Sequence, residues 1–230
     1  MIPQPVRDGF LRLVAPISQG LIRAQISPNV VSTLGAFIVL GAAAAFALGS
    51  AHWGGALVLV NGIFDLLDGQ VARGGGRTTA FGAFYDSTLD RLGEMALFGG
   101  IAWWFVTGGV PAARAPVAMV MAIVAMGTSV LVSYTRARAE GLGYECKVGI
   151  AQRAERVLLL GAPTLFFGAG QDGALLFWII VVLAAATSVT VVQRVAHVAR
   201  LAAGRNNTME RAAVRRNTLA GHAPAFRKGH

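Results

Sequence analysis

Apolar residues fill most of the chain in long runs, and Gly, Pro or arginine marks the breaks between them. Val6, Phe10, Leu13, Ile17 and Leu21 recur at helical spacing with Arg7, Arg12 and Arg23 interspersed. This predicts an amphipathic helix over residues 1–25, lying on a membrane surface and bent at Pro16. Ser27-Pro28 then opens a new helix, with Ser as its cap and Pro in its first turn. Residues 24–64 contain no Asp, Glu, Lys or Arg. One membrane span needs about 20 residues, so two spans joined near Gly49-Ser50-Ala51-His52 fit this stretch.

The second of these runs on to Arg73, and Gly74-Gly75-Gly76-Arg77-Thr78 forms a loop. A third helix carries Gly82, Asp86 and Asp90 and continues through Trp103 and Trp104, which suit the far membrane interface, to about Thr107. Gly108-Gly109-Val110-Pro111 breaks it. A fourth span covers residues 116–134 and ends in Arg136-Ala137-Arg138. A fifth covers 157–168, lengthened by 151–156, and a sixth covers 174–192 and extends past Arg194. The prediction is an all-α membrane protein: six transmembrane helices within residues 26–203, preceded by the amphipathic interfacial helix. Residues 204–230 follow as a basic, loosely ordered tail.

Composition agrees. Of 230 residues, 55% are hydrophobic and 13% charged, with a mean hydropathy of +0.59. An ordinary soluble domain has about a quarter of its residues charged. The net charge of +9 would suggest nucleic acid in a soluble protein. Here anionic headgroups and the positive-inside rule account for it. Of the 20 Lys and Arg, all but Arg114 fall on the side holding both termini. That side is therefore expected to be cytoplasmic, in a multi-pass protein of the inner membrane. The N-terminus lacks the apolar core and cleavage site of a signal peptide. The single Cys146 excludes an intrachain disulfide. His52, His197, His222 and His230 show no metal-ligand spacing, and Met95, Met119, Met121 and Met126 read as adaptable packing.

Candidate chemistry lies in four acids. Asp65 and Asp68 are three residues apart, Asp86 and Asp90 four, so each pair shares one face of its own helix. Ionisable groups at membrane depth are costly and mark function. Two such helices facing each other gather the acids into one oxygen-rich pocket, where a hard divalent cation such as Mg²⁺, or two, would offset the charge. Gly69, Ala72 and Gly82 keep bulk away from the carboxylates, and Arg73 is placed to meet phosphate. A helix-packing interface of small residues with paired acids, or a cation pathway, is the plainer reading of any one of these positions.

Together, Asp65, Asp68, Gly69, Ala72, Arg73, Gly82, Asp86 and Asp90 spell D-x2-D-G-x2-A-R-x8-G-x3-D-x3-D. This resembles the signature of the CDP-alcohol phosphotransferase family, with every specified position present. The resemblance implies an integral membrane enzyme with six transmembrane helices, a cytoplasm-facing site and a homodimeric assembly. It implies two Mg²⁺ or Mn²⁺ ions held by Asp65, Asp68, Asp86 and Asp90, with Asp90 as general base on an acceptor hydroxyl. The attack falls on the phosphorus of a CDP-linked lipid, and CMP leaves. It further implies CDP-lipid contacts from Asn29, Val30, Val31, Ser32, Gly69, Ala72, Arg73, Thr79 and Gly82. Asn29 and Thr79 also read simply as helix-start residues, and Glu94, four residues after Asp90, either supports the acids from behind or, as the favoured reading, is a structural partner of Arg91 or a basic helix end.

A second cluster comprises Ser133, Arg136, Arg138, Arg153, Arg156 and Arg194, at the expected cytoplasmic ends of spans four to six. Singly these arginines read as ordinary flanking charge; together their guanidinium forks suit phosphate oxygens. Here the chain resembles phosphatidylinositol phosphate synthases of the actinobacterial type, which implies inositol 1-phosphate as the acceptor bound by these residues. It departs from that pattern at Ala154, where Pro is usual, and at Asn29, where Asp is expected. The expected partners are thus CDP-diacylglycerol, a phosphorylated polyol, membrane lipid and a second copy of the chain, with no nucleic acid. Rival readings are the same chemistry on glycerol 3-phosphate, an archaeal-type lipid or CDP-inositol as substrate, and a divalent-cation transporter. The last explains the acids but not Gly69, Ala72, Arg73, Gly82 or the arginine cluster.

Overall fold

A computed structural model describes residues 4–221, with side chains described for residues 14–204. The described residues form seven α-helices: α1 (Gln4–Arg23), α2 (Pro28–Ala47), α3 (Ala51–Gly74), α4 (Ala80–Trp104), α5 (Ala115–Gly141), α6 (Arg153–Phe167) and α7 (Ala174–Gly221). No strand occurs among the described residues. Among the described residues four segments are long and apolar enough to cross a membrane: α2, α3, α5 and Gln171–Gly204, which contains the first part of α7. α4 carries Asp86, Asp90, Arg91 and Glu94 along its length, and α6 has only 15 residues.

Neighbouring helices run α2–α4–α5–α7–α6–α3 and back to α2, closing a ring, with α1 docked against α3. Small residues permit the close crossings. Ala118, Ala122, Ala125 and Ser129 form a fully buried stripe on α5, beside which Thr128 and Thr187 of α7 share a 2.6 Å hydroxyl contact. Phe46, Ile101, Phe105, Leu176, Ile180 and Leu183 fill the core between helices. Large apolar side chains such as Phe37, Trp53, Phe166 and Val192 point outward and are exposed, the inverse of a soluble protein and the expected face toward lipid.

Helix ends refine the sequence reading in several places. Ser27 occupies the N-cap position of α2 in an extended conformation, but its side chain makes no capping bond; Pro28, which has no N–H to satisfy, takes the first turn instead. Thr79 does cap α4, accepting a 2.9 Å bond from the Gly82 amide. α4 gives way after Trp104, short of Thr107, to a π-helical turn at Phe105–Gly109, where Gly108 adopts a φ of +112° that suits only glycine. Its Trp104 lies against Gly49, in the α2–α3 turn, whereas Trp103 is exposed. α6 begins at Arg153 rather than at residue 151, because Gln152 is extended and serves as its N-cap.

In α1, Val14 and Ser18 face inward, Ile17 faces outward, and Leu21 packs against the cluster of Val14, Val31 and Leu67. Ser18 donates a 2.7 Å bond to Gln70 of α3. The apolar positions Val6, Phe10 and Leu13 lie outside the described side chains, as do the side chains of the expected C-terminal tail. His222 and His230 lie outside the described residues altogether.

Candidate active site

The second half of α3 and the first half of α4 both pack against α2, and their acids face one another across one cleft. Carboxylate oxygens of Asp65, Asp68 and Asp86 lie within 4.8 Å of one another. The i, i+3 spacing on α3 puts the first two on one face, and Asp86 meets them from α4. Asp68 is almost fully buried, and its Oδ2 accepts a 2.9 Å hydrogen bond from Ser32 of α2. Like charges this close repel, and the donor set is all carboxylate oxygen, the set that a hard divalent cation prefers. The three acids therefore fit such a cation.

Asp90 lies one turn beyond Asp86 and stands outside that trio. Its Oδ2 pairs with Arg153 of α6 and lies 3.5 Å from Arg91. Arg153 also lies 3.1 Å from Asp65, so one guanidinium bridges α3 and α4 from the start of α6. One turn further along α4, Glu94 pairs with Arg91 at 3.3 Å and with the buried Arg156, which also donates a 3.0 Å bond to the Ala151 carbonyl. Glu94 thus makes the Arg91 pair that its sequence position suggested, and it also lines the cleft.

The cleft encloses about 720 Å³, its open mouth included. Its polar lining comprises Ser32, Asn61, the four aspartates, Glu94, Arg153 and Arg156. Gly35, Ala36, Val39, Val58, Leu97, Phe98 and Leu183 supply the apolar remainder. Sequence reasoning missed Asn61 and the bridging position of Arg153. Asn61 had a readable signal, since it precedes Asp65 by one helical turn in an otherwise apolar stretch.

The expected lipid-nucleotide residues distribute as follows. Val31 is buried against Val14 and Leu67, so its side chain is core, while Val30 is exposed. Asn29 and Gly82 bring α2 and α4 together: a Cβ on Gly82 would stand 3.2 Å from Asn29 Oδ1. A Cβ on Gly69 would stand 3.2 Å from the Arg73 guanidinium. Both glycines thus clear space for polar side chains rather than for the carboxylates themselves. Ala72 is half-buried and Arg73 exposed, at the end of α3.

The expected acceptor residues divide. Arg153 and Arg156 line the cleft. Ser133 is half-buried on α5, Arg138 is exposed, and Arg136 pairs with Glu140 at 2.8 Å on the surface. Arg194 is buried, with Nε donating to the Val148 carbonyl at 2.9 Å and Nη1 to the Val132 carbonyl. It ties the loop before α6 to α5 and α7. The Ala151 amide makes a second tie, donating to Thr190 Oγ1 at 3.0 Å.

Comparison with known proteins meets the same site. The family model described as CDP-alcohol phosphatidyltransferase matches residues 25–192, which include every acid of the cleft. The phosphatidylinositol phosphate synthase of Mycobacteroides abscessus is 36% identical over 86% of this chain and 88% of its own. The archaetidylinositol phosphate synthase of Methanothermobacter thermautotrophicus is 38% identical over 84% and 96%. Among solved structures, Mycobacterium tuberculosis phosphatidylinositol phosphate synthase with CDP-DAG bound superposes with a TM-score of 0.70 at 32% identity, covering 81% of this chain and 94% of that one. A second structure of that protein, in complex with manganese and citrate, superposes with a TM-score of 0.69 at 33% identity, covering 80% and 87%. The complete aspartate motif, its convergence in one cleft and the match across ring and site lead to one statement: the chain belongs to the CDP-alcohol phosphatidyltransferase family.

Proposed function

We propose that the protein transfers the phosphatidyl group of CDP-diacylglycerol to a hydroxyl of inositol 1-phosphate, releasing phosphatidylinositol phosphate and CMP. The observation that carries this reading is the convergence of Asp65, Asp68 and Asp86 from two helices in a chain bearing the whole family motif. The relatives named phosphatidylinositol phosphate synthase, one of them solved with CDP-DAG bound, support the choice of donor and acceptor.

In this reading Asp65, Asp68 and Asp86, with Asp90 beside them, hold Mg²⁺ or Mn²⁺, one ion or two; the related structure with manganese supports this. A divalent cation there supplies charge neutralisation along the pyrophosphate of the donor. Asn29, Val30, Val31, Ser32, Gly69, Ala72, Arg73, Thr79 and Gly82 line the path of the cytidine nucleotide, the valines through their backbone. Asp90 accepts the proton of the acceptor hydroxyl, whose oxygen forms the new bond to phosphorus as the bond to CMP breaks. Ser133, Arg136, Arg138, Arg153, Arg156 and Arg194 form the basic side that receives the acceptor's phosphate, with Arg156 and Arg194 also bracing the walls.

The ring of α2 to α7 crosses the membrane six times in this reading, with α1 at the interface as an amphipathic helix. The acids and both termini face the cytoplasm, and two copies pair. The distribution of arginine and lysine supports the orientation. Residues 1–25, 26–203 and 204–230 are then the juxtamembrane helix, the catalytic domain and a basic tail.

Purified protein incubated with CDP-diacylglycerol or its archaeal-type ether counterpart, and with inositol 1-phosphate, inositol or glycerol 3-phosphate, tests the assignment through CMP release. Turnover with inositol 1-phosphate, dependent on Mg²⁺ or Mn²⁺ and abolished by EDTA, is expected. Preference for glycerol 3-phosphate would overturn the acceptor assignment.

A further inference from the structure

Arg153 occupies an unusual position for a residue expected to bind a substrate's phosphate. It is the first residue of α6, and its guanidinium is spent on two acids from two other helices, Asp65 on α3 and Asp90 on α4. Asp65 also belongs to the trio whose oxygens converge. Arg156, one turn along α6, is fixed by contrast: it is buried and held by Glu94 and the Ala151 carbonyl. Arg153 keeps a quarter of its side chain exposed at the cleft wall, so it has solvent to turn into. A guanidinium and a divalent cation at the same carboxylate repel each other, with a strength that grows as water is excluded. Both cannot hold Asp65 at full strength together.

We propose that Arg153 is an internal counter-cation. It bridges Asp65 and Asp90 while no divalent cation is bound. When the cation arrives it releases the acids and presents its guanidinium to the phosphate of the acceptor. Cation binding and acceptor binding are thereby linked, and linkage requires the effect to be the same in both directions. The release of the acids stands on the two ion pairs alone; the identity of the phosphate rests on the acceptor proposed above. The device also gives an order to binding: the cation first, the phosphorylated acceptor second.

The test reads binding and needs no turnover. Mn²⁺ affinity is measured on the full-length protein in detergent, from the electron paramagnetic resonance signal of free Mn²⁺. Arg153→Gln removes the competing charge and is expected to bind Mn²⁺ about tenfold tighter than the unaltered protein. Arg153→Lys, which keeps a charge, is expected to stay near the unaltered value. In the unaltered protein, inositol 1-phosphate is expected to tighten Mn²⁺ about tenfold, and Mn²⁺ to tighten inositol 1-phosphate equally. Arg153→Gln is expected to lose that coupling. An Arg153→Gln protein that binds Mn²⁺ no tighter, or more weakly, would overturn the proposal. So would an absence of coupling in the unaltered protein, a measurement that needs no variant to fold. Inorganic phosphate serves as a parallel probe: coupling to it without coupling to inositol 1-phosphate keeps the counter-cation and discards the acceptor assignment.

Discussion

The acidic and basic walls of the cleft are built in different ways. The acidic wall comes from two consecutive helices whose aspartates sit three and four residues apart, and short side chains on fixed helical faces have little choice of direction. Three of the four meet as the spacing requires. The basic groups come from the end of α5, the start of α6 and the middle of α7, and their side chains are long; of them Arg153 and Arg156 line the cleft. Arg136 turns to Glu140, Arg156 to Glu94, Arg153 to Asp65 and Asp90, and Arg194 to two backbone carbonyls. The lesson is that periodicity fixes where a carboxylate points but only where an arginine starts. Asp65, Asp68 and Asp86 therefore converge on one point, whereas the arginines spread among acids and backbone carbonyls on several helices.

Substitutions on each wall can break that contrast. The largest effect is expected from Asp86→Asn, which removes one of three converging oxygen donors. CMP release should fall on the order of 10³-fold, about 4 kcal/mol of lost transition-state stabilisation, with the fold retained. Near-normal turnover in a CMP assay would mean the acidic wall is not the cation site. A middle effect is expected from Arg194→Ala. It leaves the Val148 and Val132 carbonyls without their donor in a buried setting, at a cost of about 1–3 kcal/mol in stability. Thermal unfolding in detergent reads this cost. If stability is unchanged while KM for inositol 1-phosphate rises, Arg194 is a ligand first and the contrast between the walls fails there. The smallest is expected from Arg136→Ala, whose ion pair with Glu140 is about half exposed. Such pairs contribute about 0–1 kcal/mol, so unfolding should barely move while KM for the acceptor rises.

Much of the fold was legible because lipid imposes a simple grammar. Residues 24–64 without a charge, a turn at Gly49 and the glycine-rich break after Arg73 predict α2 and α3, and the structure places them there. Less legible were the ends set by single backbone conformations. Ser27 looks like a cap from sequence yet makes no capping bond, and α4 yields to a π-turn at Phe105 because Gly108 takes a positive φ. Within the site, the aspartate trio could be read from spacing and small residues. The bridge from Arg153 could not, because it depends on α6 packing against α3 and spans 63 residues of sequence to Asp90 and 88 to Asp65. Asn61, by contrast, stood out as a polar residue one turn before Asp65, while the partner of Ser32 became visible only when α2 lay beside α3.

The claim beneath all of this is that α3 and α4 together hold a divalent cation. Diffraction at the manganese absorption edge from crystals of the protein grown with Mn²⁺ tests it most directly. An anomalous peak among the carboxylates of Asp65, Asp68 and Asp86 is predicted. Ordered side chains with no peak among them, or a peak at another place in the ring, would contradict it.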